Sequence, residues 1–197
     1  MKKSVFFVGV FFFLAINPAS AQINQTITYP TKPFRFGLTA EGNFNAAEYP
    51  GRYGVSGAAK ILIKAQQNHD AFNEYVITFK ALHSPATDGD FFKGFDGGHY
   101  NNISTLLLTG GYRFNFGVPR YMIDHFTDEV GGWFIEANAG VSYIHYSRTW
   151  APAIAPSIGY AIAPHLDLVS SFTASWADTK KLKNSLFITG LGLQFHF

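Results

Sequence analysis

Few residues in this chain are placed to do chemistry. His145 and Ser147 stand two apart, a spacing that puts both side chains on one face of a strand. A serine hydroxyl becomes a nucleophile when a histidine within reach takes its proton. The pair is therefore the sharpest catalytic candidate, and the default alternative is an interfacial rim shared with Tyr146. Asp88, Asp90 and Asp96 crowd the Gly-rich stretch D-G-D-F-F-K-G-F-D-G-G. Carboxylates on such a loop can hold calcium, but Phe92 stands where an EF-hand places an oxygen ligand, so a solvated loop is expected. The same loop carries Phe91, Phe92, Phe95 and Tyr100, apolar groups that could meet a partner or cover an opening. The seven histidines are scattered, without the spacing of a metal site. No catalytic, metal or cofactor residue is assigned, and no cofactor is expected.

The other chemical groups belong to a pattern. After Gln22 the chain shows almost no helical periodicity. Segments of about ten residues instead alternate apolar with polar side chains, as half-apolar strands do. From Phe34 to Phe44, Phe34, Phe36, Leu38, Ala40, Gly42 and Phe44 oppose Arg35, Gly37, Thr39, Glu41 and Asn43. The pattern returns over 55–64, 74–81, 105–116, 133–143, 154–162, 166–176 and 187–197. That makes eight strands, the even number that bacterial outer-membrane barrels use. Pro156 interrupts the sixth, because it cannot donate to a ladder, and predicts a bulge or a rim position.

Charge decides which face is outside. Counting His as neutral, nine charged residues fall in these strands: Arg35, Glu41, Lys60, Lys64, Glu74, Lys80, Arg113, Glu136 and Asp167. All nine lie on the polar face. Such a partition is expected when the apolar face meets lipid, where a charge costs about 2–4 kcal/mol at the midplane. Five basic and four acidic groups in a closed lumen can pair, and an eight-stranded barrel is just wide enough for side chains to fill it. A plugged barrel with no open pore is expected. Phe34, Phe36, Phe114, Phe116, Trp133, Tyr160, Phe195 and Phe197 mark one aromatic girdle, and Phe44, Phe79, Tyr143 and Trp176 the other. A strand count starting in the periplasm puts connections 45–53, 84–102, 146–152 and 177–185 outside the cell. It puts 66–73, 117–131 and a tight turn at 163–165 inside. The alternative is a soluble, lipocalin-like periplasmic carrier with the apolar face turned in.

Composition agrees with export to a membrane. Charged residues are 14% and aromatics 17%, against about 25% charged in ordinary soluble domains. There is no cysteine, which excludes disulfides and thiolate chemistry. Residues 1–21 pair Lys2 and Lys3 with an apolar run from Val5 to Ile16 and end Ala19-Ser20-Ala21. This is the form of a secretory signal peptide cleaved after Ala21, and the run is shorter than the ~20 residues of a spanning helix. Without Lys2 and Lys3, the 15 Lys and Arg fall to 13, matching the 13 Asp and Glu. A neutral mature chain has no basic surface for nucleic acid. Residues 22–32 are read as a periplasmic extension and 33–197 as an outer-membrane barrel.

The ending L-F-I-T-G-L-G-L-Q-F-H-F alternates apolar residues and closes on an aromatic. It resembles the C-terminal targeting strand of outer-membrane barrels, with Leu191, Leu193, Phe195 and Phe197 as the signal (Tyr160, in the girdle, is not part of it). With the eight-strand count, residues 33–197 resemble the small barrels of the OmpA-transmembrane-domain and OmpX type. The resemblance implies a non-enzymatic, monomeric, structural or surface-interaction protein. Its partners would be outer-membrane lipid, lipopolysaccharide and, during biogenesis, the outer-membrane assembly machinery. No peptidoglycan-binding domain of the full-length OmpA kind is expected to follow. The His145-x-Ser147 pair is similar to that of the lipid A 3-O-deacylase family, which would imply a lipid A-modifying hydrolase. Here the acid which that family places about a dozen residues later falls on Gly159, and three strands follow the pair.

Overall fold

The computed structural model describes residues 34–45, 53–68, 71–86, 92–93, 97–116, 132–163, 165–176 and 185–197. The signal peptide, the 22–32 extension, the three loop aspartates with Phe91 and Phe95, and the 117–131 connection lie outside them. The strands are β1 Phe34–Asn45, β2 Tyr53–Asn68, β3 Ala71–Pro85, β4 Phe92–Lys93, β5 His99–Tyr100 and β6 Asn102–Phe116. They continue as β7 Trp133–Ile144, β8 Thr149–Ile154, β9 Ser157–Ala163, β10 Leu166–Ser175 and β11 Leu186–His196.

Sequence neighbours pair antiparallel, β8 and β9 together act as one barrel strand, and β11 closes back onto β1. The fold is an all-β, eight-stranded, antiparallel up-and-down barrel. β4 and β5 form a separate two-stranded hairpin in the β3–β6 connection. The ladder can be followed from Arg35 through Leu62, Val76, Gly111 and Asn138, across the break at Ala155, then through Thr173 and Ile188. It returns to β1 at Asn45, ten residues from its start. Such a stagger tilts the strands by roughly 40° to the barrel axis.

Because side chains alternate along a strand, each strand sends one set inward and one outward. β1 shows it directly, with buried and exposed residues alternating from Phe36 to Asn45. The outward set is apolar: among the described residues, twenty-six large hydrophobic side chains are exposed, from Phe34 to Phe197. All nine strand charges point inward. A soluble barrel has the opposite arrangement.

Several elements differ from the sequence reading. The connection expected over 66–73 shrinks to residues 69–70, since β2 runs to Asn68 and β3 starts at Ala71. Their ladder absorbs one irregularity between Lys64 and Gln66. The connection expected over 146–152 tightens to a turn over 145–148, where the Arg148 N–H donates to the His145 carbonyl at 3.2 Å and Arg148 takes a φ of 49°. Pro156 sits at a break, not at a bulge or the rim. β8 and β9 keep one register on both sides, with Ala139 opposite Ile154 and Glu136 opposite Ser157 on β7, and Ala174 opposite Ile154 and Ser171 opposite Ser157 on β10. No residue is inserted. The ladder loses a donor there, and the Pro156 carbonyl still accepts the Phe172 N–H at 2.9 Å. The bulge lies further on, between Leu166 and Asp167, beside His165 with its φ of 61°.

Candidate functional site

Among the described residues, the lumen gathers the buried charged and polar side chains. Its lower end, beside the starts of β1 and β10, holds a chain of ion pairs. Arg35 grips Glu74 through both carboxylate oxygens, with Nη2 at 2.8 and 2.7 Å and Nε at 3.0 Å. Glu74 Oε2 lies 4.0 Å from Arg113 Nε. Arg113 donates to Glu136 through Nε at 2.8 Å and also through Nη2. The other Glu136 oxygen accepts from Lys60 Nζ at 2.8 Å, Ser157 Oγ at 2.9 Å and Asn138 Nδ2 at 3.1 Å. Arg113 and Glu136 are both 0% exposed. Such groups stay charged in a protein interior only when paired and hydrogen-bonded.

A second cluster sits above the first. Lys80 Nζ lies 2.5 Å from Glu41 Oε2, which also accepts from Ser56 at 2.9 Å and Ser171 at 3.0 Å. A third joins the closing strands, where His196 Nε2 lies 2.5 Å from Asp167 Oδ2 and 3.0 Å from Gln194 Nε2. Thr39 then bonds Gln194 at 3.3 Å. Lys64 shares the inward face and is half-buried. Six of the charged groups, Arg35, Glu41, Lys60, Lys64, Glu74 and Lys80, come from the adjacent strands β1, β2 and β3.

Two glycines make room for this network. A Cβ on Gly190 would stand 2.6 Å from Glu41 Oε2 and 2.8 Å from Ser171 Oγ. A Cβ on Gly159 would collide with the Phe134 ring, and the Arg113 guanidinium lies 3.8 Å above that ring's centre. Neither role is visible along the chain, because the groups concerned meet only between paired strands, Gly159 opposite Phe134 and Gly190 between Asn43 and Ser171.

The upper end of the lumen is apolar. Leu82, Ile103, Ile144, Tyr146, Ala151, Leu186 and Ile188 form one buried cluster, with Tyr100 and Ala86 against it. Burial pushes the Tyr146 phenol up to about 12. A signal for this cap exists in the sequence, since alternation fails at Leu186-Phe187-Ile188, which supplies two of its residues.

The cap changes the reading of His145 and Ser147. Both were expected on the outer wall, with Tyr146 as an interfacial rim. The turn over 145–148 instead folds Tyr146 inward, to 5% exposure, and buries Ser147 to 3%. The Ser147 hydroxyl donates to the Ile144 carbonyl at 3.4 Å, while His145 is exposed. The two residues do not share a face, because the strand's alternation ends at Ile144.

Outside, two aromatic bands flank the barrel. The lower one includes Phe36 with Phe197, centroids 6.4 Å apart, and Trp133 with Tyr160 at 4.6 Å. The upper one includes Phe44 with Tyr53 at 5.9 Å, Tyr143 with Trp150 at 5.1 Å and Trp176 with Phe187 at 6.4 Å. Phe79, expected in the upper band, lies near the middle of β3, paired with Leu108. Among the described residues, no group of three or more His, Asp or Glu side chains could hold a metal ion.

No protein-family model matches the sequence, and no curated protein sequence matches it. Two solved structures are similar in shape. The outer membrane protein Ail of Yersinia pestis in a phospholipid bilayer nanodisc aligns with a TM-score of 0.44 and 10% identity, over 83% of this chain and 99% of that one. The crystal structure of Ail, the attachment invasion locus protein of Yersinia pestis, aligns with a TM-score of 0.43 and 11% identity, over 83% of this chain and 96% of that one. The ring of eight strands stands on this chain's own ladder register.

Proposed function

We propose that this chain is an exported outer-membrane β-barrel protein, with a structural or surface-interaction role rather than an enzymatic one. One observation carries the reading. Among the described residues the outward wall is predominantly apolar, with twenty-six large hydrophobic side chains exposed, and all nine strand charges face inward. Soluble monomers expose apolar patches of a few hundred Å2, whereas a lipid-facing wall must be apolar. The band dimension supports it as well. The ten steps from Phe34 to Phe44, tilted by roughly 40°, rise about 25 Å, the height of an outer-membrane apolar band.

In this reading the signal peptide is cleaved after Ala21, and the barrel sits as a monomer among outer-membrane lipid and lipopolysaccharide. Leu191, Leu193, Phe195 and Phe197 present the targeting signal to the assembly machinery. The ion-paired lower lumen and the apolar upper cap leave no open pore. A soluble carrier is disfavoured, since the interior that would hold an apolar cargo is lined by charges. A hydrolase built on His145 and Ser147 is disfavoured by their separation onto different faces.

The test is gel mobility in SDS, unboiled against boiled, on the outer-membrane fraction. A closed barrel stays folded until heated, so the unboiled band is expected to migrate differently. Recovery from the periplasm without detergent, with no mobility difference, would overturn the proposal.

A further inference from the structure

The upper aromatic band has one polar gap. Tyr53 on β2 and Tyr143 on β7 bracket two strands, β3 and β6, that carry no aromatic residue at that level. They carry His83 and Ser104, which are register partners. His83 Nδ1 lies 3.1 Å from Ser104 Oγ, on the exposed side of the wall. The row continues into the turn after β7, where the His145 N–H donates to the Ser104 carbonyl at 2.9 Å, and His145 is exposed. The exposed Arg148 follows in the same turn, its N–H donating to the His145 carbonyl at 3.2 Å.

We propose that the row His83–Ser104–His145, with Arg148 beside it, docks the phosphate of an anionic lipid headgroup in the leaflet around the upper aromatic band. The proposal rests on the barrel being embedded in a bilayer. Aromatic bands lie at headgroup depth, so a polar gap in one faces headgroups rather than acyl tails. Two imidazoles, a hydroxyl and a guanidinium are all able to donate to a phosphate, and the guanidinium matches its geometry best. Among the described outward-facing strand residues there is no Asp or Glu to neutralise the row or repel an anion. The hydroxyl and the first imidazole already hold each other in place, so little ordering is needed on binding.

The test uses the folded barrel in nanodiscs of mixed phosphatidylcholine and phosphatidylglycerol. Native mass spectrometry reads the lipids retained after release. The intact protein should retain phosphatidylglycerol preferentially. The triple variant His83→Ala, His145→Ala, Arg148→Ala should lose about fivefold or more of that preference, as expected for removing basic groups at an anionic surface. Arg148→Asn, which tolerates a positive φ, should lose part of it and guards against a misfolded triple variant. Equal preference in all three proteins, each showing the heat-dependent mobility of a closed barrel, would overturn the docking site and leave the barrel standing. Loss of that mobility in the unaltered protein would overturn both. Release of fatty acid from the nanodisc lipid, abolished by Ser104→Ala, would also overturn it, because Ser104 would then be a nucleophile rather than a docking group.

Discussion

Glu136 joins four lumenal side chains, accepting from Arg113, Lys60, Ser157 and Asn138. Removing one partner of a buried pair leaves the other charge uncompensated, which costs about 3–5 kcal/mol. Glu136→Ala strands two cations at once. Its urea unfolding midpoint in lipid vesicles should fall accordingly, and Glu136→Gln should fall less, since the amide oxygen still accepts. A midpoint equal to the parent's would mean that the pairs do not stabilise the barrel. At this scale, the inward placement of the charges follows from strand parity alone. Their partners do not, since Arg35 and Glu74 are 39 residues apart and meet because β1, β2 and β3 lie side by side.

Among the elements, the split between β8 and β9 is the clearest irregularity. Because Pro156 has no N–H, the ladder with Phe172 keeps one hydrogen bond of its pair. Register is preserved on both neighbours, so a residue with an N–H can enter without shifting any strand. Pro156→Ala should therefore stabilise the barrel by about 0.5–1.5 kcal/mol, the net value of one hydrogen bond, read as a raised urea midpoint. A lowered midpoint would mean that the break is required by the tilt of the wall. The proline is readable in the sequence as a ladder defect. Whether that defect is a bulge or a gap depends on the flanking register, which only the paired strands reveal. The 145–148 turn is similar, for its residues carry on the alternation on paper while the chain has already left the strand.

The whole molecule depends on closure of β11 against β1. The seam ends at Phe197, whose backbone exchanges hydrogen bonds with Phe36 at 3.2 and 3.1 Å, and whose ring stacks on Phe36. Phe197 thus belongs both to the proposed targeting signal and to the seam, and the two roles separate experimentally. Phe197→Ala should reduce the amount of heat-shifted barrel in cells. If targeting is its main role, refolding of the purified variant into vesicles should proceed at the parent's yield. An equal loss in vesicles would assign the residue to the seam alone, and undiminished cellular assembly would exclude it from the signal.

The sequence by itself determined the number of strands, their antiparallel up-and-down order and the direction every strand charge faces. These depend on a period of two and on the high cost of a charge in an apolar layer, both local properties of the chain. The tertiary structure decided which charges pair, that Gly159 and Gly190 clear space for Phe134 and Glu41, and that an apolar cap closes the upper lumen over Tyr146. It also brought His83 beside Ser104 and parted His145 from Ser147. Those outcomes depend on ladder register and on the ten-residue stagger of the closed ring. Contacts across the lumen or between neighbouring strands join residues far apart in sequence, and periodicity along one strand does not encode them.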